Sequence, residues 1–81
     1  MTQPPPMSET DEEAEQLANW FSYHPPHGNQ AQSYERIRAA GKAFAEVLLA
    51  ECPRSADRNA AVQHIREAVY NANASIACGG R

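Results

Sequence analysis

The apolar positions of this chain recur at helical spacing in two long segments. From Gln30 to about Cys52 the steps between them are three, four or one residues, at Tyr34, Ile37, Gly41, Phe44, Ala45, Leu48, Leu49 and Cys52. In the second segment the steps are three and four residues, at Val62, Ile65, Val69, Ala72 and Ile76. Such steps follow one side of an α-helix. The pattern predicts two amphipathic helices, each of about 22 residues and roughly 33 Å long.

Helix-breaking and helix-capping residues mark the limits of both segments. Pro53 ends the first helix, because proline lacks a backbone donor and disfavours helical geometry in the residue before it. Ser55 is a candidate N-cap for the second helix, and Gly79-Gly80 ends it. The link Pro53-Arg54-Ser55 is so short that the second helix must run back along the first. The sequence therefore predicts an antiparallel helical hairpin.

A shorter helix precedes the hairpin. Thr10 and Glu13 have the spacing of a capping box, and the residues after them recur at helical spacing, which predicts a helix from Asp11 to Trp20. Pro25-Pro26 separates this helix from the first long one, for which Asn29 is the candidate N-cap.

The whole chain is predicted to be all-α, with a flexible proline-rich tail over residues 1–7 and one hairpin domain over residues 8–81. A hairpin with one apolar stripe per helix cannot enclose a full core, and an 81-residue chain has little other surface to bury. Small residues also crowd the stretch NANASIA (71–77), which suits the close approach of another helix. Self-association into a homo-oligomer is therefore predicted.

Composition and charge argue against several classes of protein. The net charge of −3 does not suit a protein that coats DNA or RNA. No apolar run is long enough to span a bilayer, and the first residues lack the features of a signal peptide, so we expect a cytosolic protein. Cys52 and Cys78 end different antiparallel helices, which predicts that they share neither a disulfide nor a metal within one chain.

The chain offers no obvious catalytic constellation. It has no Ser/His/Asp arrangement with supporting elements and no glycine-rich phosphate loop, so we predict a protein that is not an enzyme and needs no cofactor. His24 and His27 are three residues apart, but Pro25-Pro26 fixes the backbone between them and no second pair of ligands follows. No metal site is predicted.

Two interpretations remain for the aromatic and basic residues around the prolines. Arg38 and Lys42 are four residues apart on one face of a helix, and they are either part of a solvated surface or a site for an anion. Tyr23 offers a ring on which a nucleotide base can stack. Trp20 and Phe21 are expected instead to pack the short helix against the hairpin.

Four stretches in this order resemble a known family: FSYHPP (21–26), YERIRAAGKAFA (34–45), CPRSADR (52–58) and EAVYNANASIAC (67–78). They are similar to the small phage-encoded anti-CBASS cyclic-oligonucleotide sponges of the second type, whose hairpin domain is shared with Thoeris anti-defence sponges. The resemblance implies a helical homo-oligomer, typically a hexamer, in the cytoplasm of an infected bacterium. It also implies that the protein sequesters cyclic dinucleotides such as 3′,3′-cGAMP without cleaving them, so that CBASS effectors are not activated.

The resemblance assigns ligand-binding roles to six positions. Tyr23 is expected to stack on a base, Arg38 to contact a phosphate and Lys42 to assist it, while His24, Pro25 and Pro26 shape the pocket wall between protomers. The competing hypothesis, which composition alone favours, is a helical adaptor that binds proteins and no nucleotide. No DNA, RNA or membrane partner is expected.

Some relatives also bind cyclic trinucleotides in a second pocket near the end of the last helix. That pocket corresponds here to Ala72, Asn73, Ser75, Ile76 and Cys78. Many relatives have arginine where this chain has Cys78, so that phosphate contact is missing unless Arg81 supplies it. Asn71 stands where a tryptophan is common, a change that affects packing or ligand choice.

Overall fold

The computed structural model describes residues 10–81, and helices α1 (Asp11–Trp20), α2 (Gln30–Glu51) and α3 (Ala56–Ala77) make up most of this part of the chain, which contains no strand. The predicted all-α class and the antiparallel hairpin are confirmed, and the helix ends lie within a residue or so of their predicted positions. The tail predicted for residues 1–7, and with it a domain boundary at residue 8, lies outside the described residues.

Local hydrogen bonds explain where α1 begins. The Glu13 backbone N–H donates to Thr10 Oγ1 at 3.0 Å, and the Thr10 N–H donates to Glu13 Oε1 at 3.4 Å, which completes the predicted capping box. Three acidic residues occupy the first turn, where the helix dipole favours negative charge. This start therefore depends only on neighbouring residues.

The ends of α3 are likewise set locally. Ser55 Oγ accepts from the Arg58 N–H at 3.0 Å, as predicted for an N-cap. At the other end, Gly79 and Gly80 adopt φ of 67° and 78°, and the Gly80 N–H donates to Ser75 O at 2.8 Å. This is a Schellman ending, which needs the left-handed backbone that glycine adopts without strain.

The α2 boundaries differ in one detail from the prediction. Asn29 does occupy the N-cap position, but its side chain makes no capping hydrogen bond. Instead, Gln30 Oε1 accepts from the His27 N–H at 3.1 Å, which braces the turn before the helix. At the C-terminal end, Arg58 Nη1 donates to Leu49 O and Cys52 O at 3.3 and 3.4 Å, so α3 satisfies the last carbonyls of α2.

Helices α2 and α3 approach each other closely at Gly41. A Cβ atom placed there would lie 2.6 Å from Val69 Cγ2 and 3.6 Å from Ile65 Cγ2. The apolar stripes of the two helices therefore meet at a position that only glycine fits. Even so, no side chain among residues 10–81 is fully buried, which agrees with the expectation that one hairpin cannot enclose a core.

Helix α1 is held at the end of α3 by polar contacts. Asn19 Nδ2 donates to Cys78 O at 3.2 Å, and Trp20 Nε1 donates to Arg81 O at 3.1 Å. The expected packing of Phe21 against the hairpin is wrong, because its side chain is 83% exposed.

Candidate functional site

An apolar groove lies on one side of the α2–α3 seam. It has a volume of about 670 Å³, and its walls include Ile37, Phe44 and Leu48 of α2 with Ala61, His64 and Ala68 of α3. Phe44 is more than half exposed there. His64 is the one titratable group in this lining. The groove is suited to an apolar partner surface.

A second groove, of about 320 Å³, lies on the other side of the seam. Arg38 and Lys42 of α2 line it, as predicted for two cations on one helical face. Across from them, α3 contributes Arg66, Tyr70 and Asn73, and no carboxylate among residues 10–81 lines the groove. We call this surface the cationic groove. Its charge suits an anionic ligand.

The segment with Tyr23 does not line the cationic groove of its own chain. Tyr23 is 84% exposed, so its ring is free of the packing that would prevent a base from stacking on it. His24 is half-buried, and its Nε2 donates to Asn19 O at 2.6 Å. Pro25 and Pro26 follow it and are exposed between α1 and α2. The hydrogen bond and the prolines fix the backbone beside Tyr23.

The residues predicted for a second pocket point to different surfaces in one chain. Ala72 lines the apolar groove, and Asn73 lines the cationic groove. Ser75 lines a third cavity, of about 370 Å³, together with Trp20 and Arg81. The Ile76 carbonyl accepts from Gln30 Nε2 at 3.3 Å, and that of Cys78 accepts from Asn19. A single chain does not gather these five residues into one site.

Sequence reasoning missed Arg66 and Tyr70. Arg66 Nε donates to Tyr70 Oη at 2.8 Å, and its guanidinium lies 5.4 Å from the centroid of the tyrosine ring. The available signal was the spacing of four residues, which places both side chains on one face of α3. The spacing does not show that Arg66 and Tyr70 face Arg38 and Lys42, because that depends on how α3 is rotated about its axis relative to α2.

The cysteines lie at opposite ends of the hairpin, as predicted. Cys52 follows α2 beside Arg58, whereas Cys78 follows α3 beside Asn19, and both thiols are free. Among residues 10–81 no group of three or more His, Cys, Asp or Glu side chains is arranged to hold a metal ion. Over the same residues, each helix is too short or too polar to cross a bilayer.

These features define a small helical hairpin domain with an apolar groove and a cationic groove on either side of one helix seam. Comparison with protein-family models identifies it further: the model of the Acb2/Tad1 hairpin domain matches residues 13–77, which is most of the chain. The chain therefore belongs to the Acb2/Tad1 hairpin-domain family, and the resemblance seen in the four sequence stretches is confirmed. Neither a curated protein nor a solved structure matches the chain.

Family membership has a general functional implication. The Acb2/Tad1 family binds cyclic nucleotide signals and is non-catalytic in general, which implies a sponge-type anti-defence role. The matched residues include Tyr23 and its neighbouring prolines as well as Arg38 and Lys42 of α2.

Proposed function

We propose that this protein binds cyclic dinucleotide immune messengers such as 3′,3′-cGAMP and holds them without cleaving them. In the cytoplasm of an infected bacterium, this sequestration prevents activation of CBASS effectors. The observation that supports the proposal most directly is the cationic groove on a hairpin of this family, with Arg38 and Lys42 in its wall. Phosphate binds such cations through charge-assisted hydrogen bonds.

Tyr23 supplies the second part of the proposed site. Its ring is exposed while its backbone is fixed by neighbouring contacts, an arrangement that suits base stacking at low entropic cost. Because Tyr23 and the cationic groove do not meet within one chain, the proposed site combines Tyr23 of one protomer with the groove of another. His24, Pro25 and Pro26 form the wall beside the tyrosine.

Calorimetric titration with 3′,3′-cGAMP tests this function. We expect saturable binding with fewer than one ligand per chain, because protomers share each site. Chromatography of the bound material should recover the ligand intact. An equimolar mixture of AMP and GMP serves as the control, since it offers the same bases without the cyclic phosphodiester. Absence of heat with every cyclic dinucleotide and trinucleotide would instead favour the helical adaptor.

We also propose that a second copy of the chain covers the apolar groove. The described residues include no buried side chain, so one hairpin leaves its apolar stripe in water unless something covers it. The lining has almost no charge, so two copies can meet there without burying unpaired charges. This assembly would supply the burial that a single 81-residue chain lacks. A hexamer is the form that the family resemblance implies.

A substitution in the apolar groove is expected to lower the oligomeric mass. In Phe44→Asp, a carboxylate would have to be buried at the contact, so multi-angle light scattering should show a smaller particle than the wild type. Val47→Asp is the matched control, because Val47 is 54% exposed against 56% for Phe44 but lies outside the groove. A wild-type protein that is monomeric at all concentrations would contradict the proposed assembly.

A further inference from the structure

The cationic groove has a second charged wall that the proposed function does not use. Arg38 and Lys42 project from α2, and Arg66 lies across the helix seam on α3. Three of the seven basic residues of the chain thus line one groove, in a protein whose net charge is −3. Like charges gathered in this way repel one another, and a bound anion relieves that repulsion.

Among the described residues, no ion pair involves any of these three cations. Among residues 10–81, the two contacts within 4 Å between basic and acidic side chains join His64 to Glu67 and Arg81 to Glu15. No aspartate or glutamate in the described part of the chain lines the groove. Glu35 and Glu46 lie within a helical turn of the two cations of α2. Neither carboxylate forms an ion pair with them in the structure, so these cations remain available to an external anion.

Tyr70 holds Arg66 in a defined orientation. The hydrogen bond of 2.8 Å from Arg66 Nε to Tyr70 Oη uses one edge of the guanidinium, and the ring 5.4 Å away restricts its position further. The terminal amino groups, Nη1 and Nη2, can then donate to a ligand. A guanidinium that is oriented before the ligand arrives loses less rotamer entropy on binding phosphate.

Asn73 adds a polar group to the same groove. Its Oδ1 atom is shielded from solvent and has no hydrogen-bond partner among the described residues. An unpaired amide oxygen of this kind is costly, and a hydroxyl or amino donor of a bound ligand can satisfy it only when the side chain turns this oxygen toward the groove. The groove therefore offers cations for a phosphate and an amide for the sugar or base attached to it.

We infer that Arg66, oriented by Tyr70, binds a nucleotide phosphodiester in the cationic groove, opposite Arg38 and Lys42. The ligand class rests on the proposed function, but the assignment of Arg66 rests on the geometry of the groove. A volume of about 320 Å³ is at the small end for a ligand site, so the groove accommodates one phosphate with its ribose rather than a whole cyclic dinucleotide.

Charge-neutral variants measured by calorimetry with 3′,3′-cGAMP test the inference. Arg66→Gln removes a charged hydrogen bond to phosphate, so we expect roughly ten- to hundred-fold weaker binding and a smaller dependence of affinity on salt. Tyr70→Phe keeps the ring but removes the hydroxyl that orients the guanidinium, so a smaller loss is expected. Arg36→Gln is the matched control, because Arg36 is an exposed arginine of α2 outside the groove.

The outcomes separate this inference from the proposed function. If the wild type binds 3′,3′-cGAMP and Arg66→Gln binds it equally well, the assignment of Arg66 is wrong and the function stands. If the wild type binds no cyclic nucleotide, a titration with inorganic pyrophosphate, monitored by the NMR signal of Arg66 Nε–H, tests whether the groove binds phosphate. A saturable shift of this signal that the Arg36 signal does not share supports the groove as a phosphate site. Absence of a shift overturns the inference. Circular dichroism of each variant checks that the helices are intact.

Discussion

Simultaneous replacement of Tyr23 and Arg38 by alanine is expected to weaken cyclic dinucleotide binding by roughly 100-fold or more. Stacking on an aromatic ring contributes roughly 1–3 kcal/mol per base, and a hydrogen bond from a charged group roughly 1.5–3 kcal/mol. Both side chains are exposed, so their removal should leave the fold intact. The measurement is the dissociation constant from calorimetry, with helix content compared by circular dichroism.

A control pair with the same chemistry distinguishes the site from general surface effects. Phe21→Ala removes an equally exposed aromatic ring two residues from Tyr23, and Arg54→Ala removes an exposed arginine from the helix link. This double variant should bind as the wild type does. Equal affinity of the wild type and the Tyr23/Arg38 variant would show that the ligand site is elsewhere, even if the protein proves to be a sponge.

Substitution of Gly41 by valine should have the largest effect on stability. The Cβ atom itself would lie 2.6 Å from Val69 Cγ2, and no rotation of the new side chain can move it away. Val69 is β-branched and has little rotamer freedom in a helix, so the two helices must separate. Overpacking of this kind costs roughly 1–3 kcal/mol, and in a domain of this size 1 kcal/mol lowers Tm by about 4–8 °C. We therefore expect Tm to fall by about 10 °C or more, measured at fixed protein concentration.

Two further variants isolate the contact between the helices. Ala43→Val introduces the same residue at an exposed position of α2, where only the difference in helix propensity, under about 1 kcal/mol, is expected. Val69→Ala combined with Gly41→Val returns space at the seam and should recover part of the lost stability. If Gly41→Val and Ala43→Val lower Tm equally, the close approach at Gly41 is not present in solution.

The helix boundaries could be predicted because local chemistry determines them. Thr10 and Glu13 cap α1 through contacts three residues apart, and Gly79 with Gly80 ends α3 through bonds within one turn. The step pattern of the apolar residues then required two long helices, and the short link made them antiparallel. Each of these inferences concerns residues that are near one another in the sequence.

The side-chain arrangement around the candidate site could not be predicted in the same way. Phe21 was expected to pack against the hairpin and is exposed, whereas Trp20 does contact the C-terminal end of the chain. His24 was expected to shape the pocket wall, and only the structure shows that its Nε2 bonds to Asn19 O at the end of α1. These outcomes depend on the path of the chain between α1 and α2, where no regular hydrogen-bond pattern restricts the backbone.

The sequence by itself determined the three helices, the hairpin and, through its ordered motifs, the Acb2/Tad1 hairpin-domain family. Only the tertiary structure decided that Arg66 and Tyr70 lie across from Arg38 and Lys42 in one groove. Helix periodicity gives the face on which a residue lies, but not how that face is rotated against a neighbouring helix. Here the two faces meet through contacts such as Val69 against Gly41, which join residues far apart in the sequence.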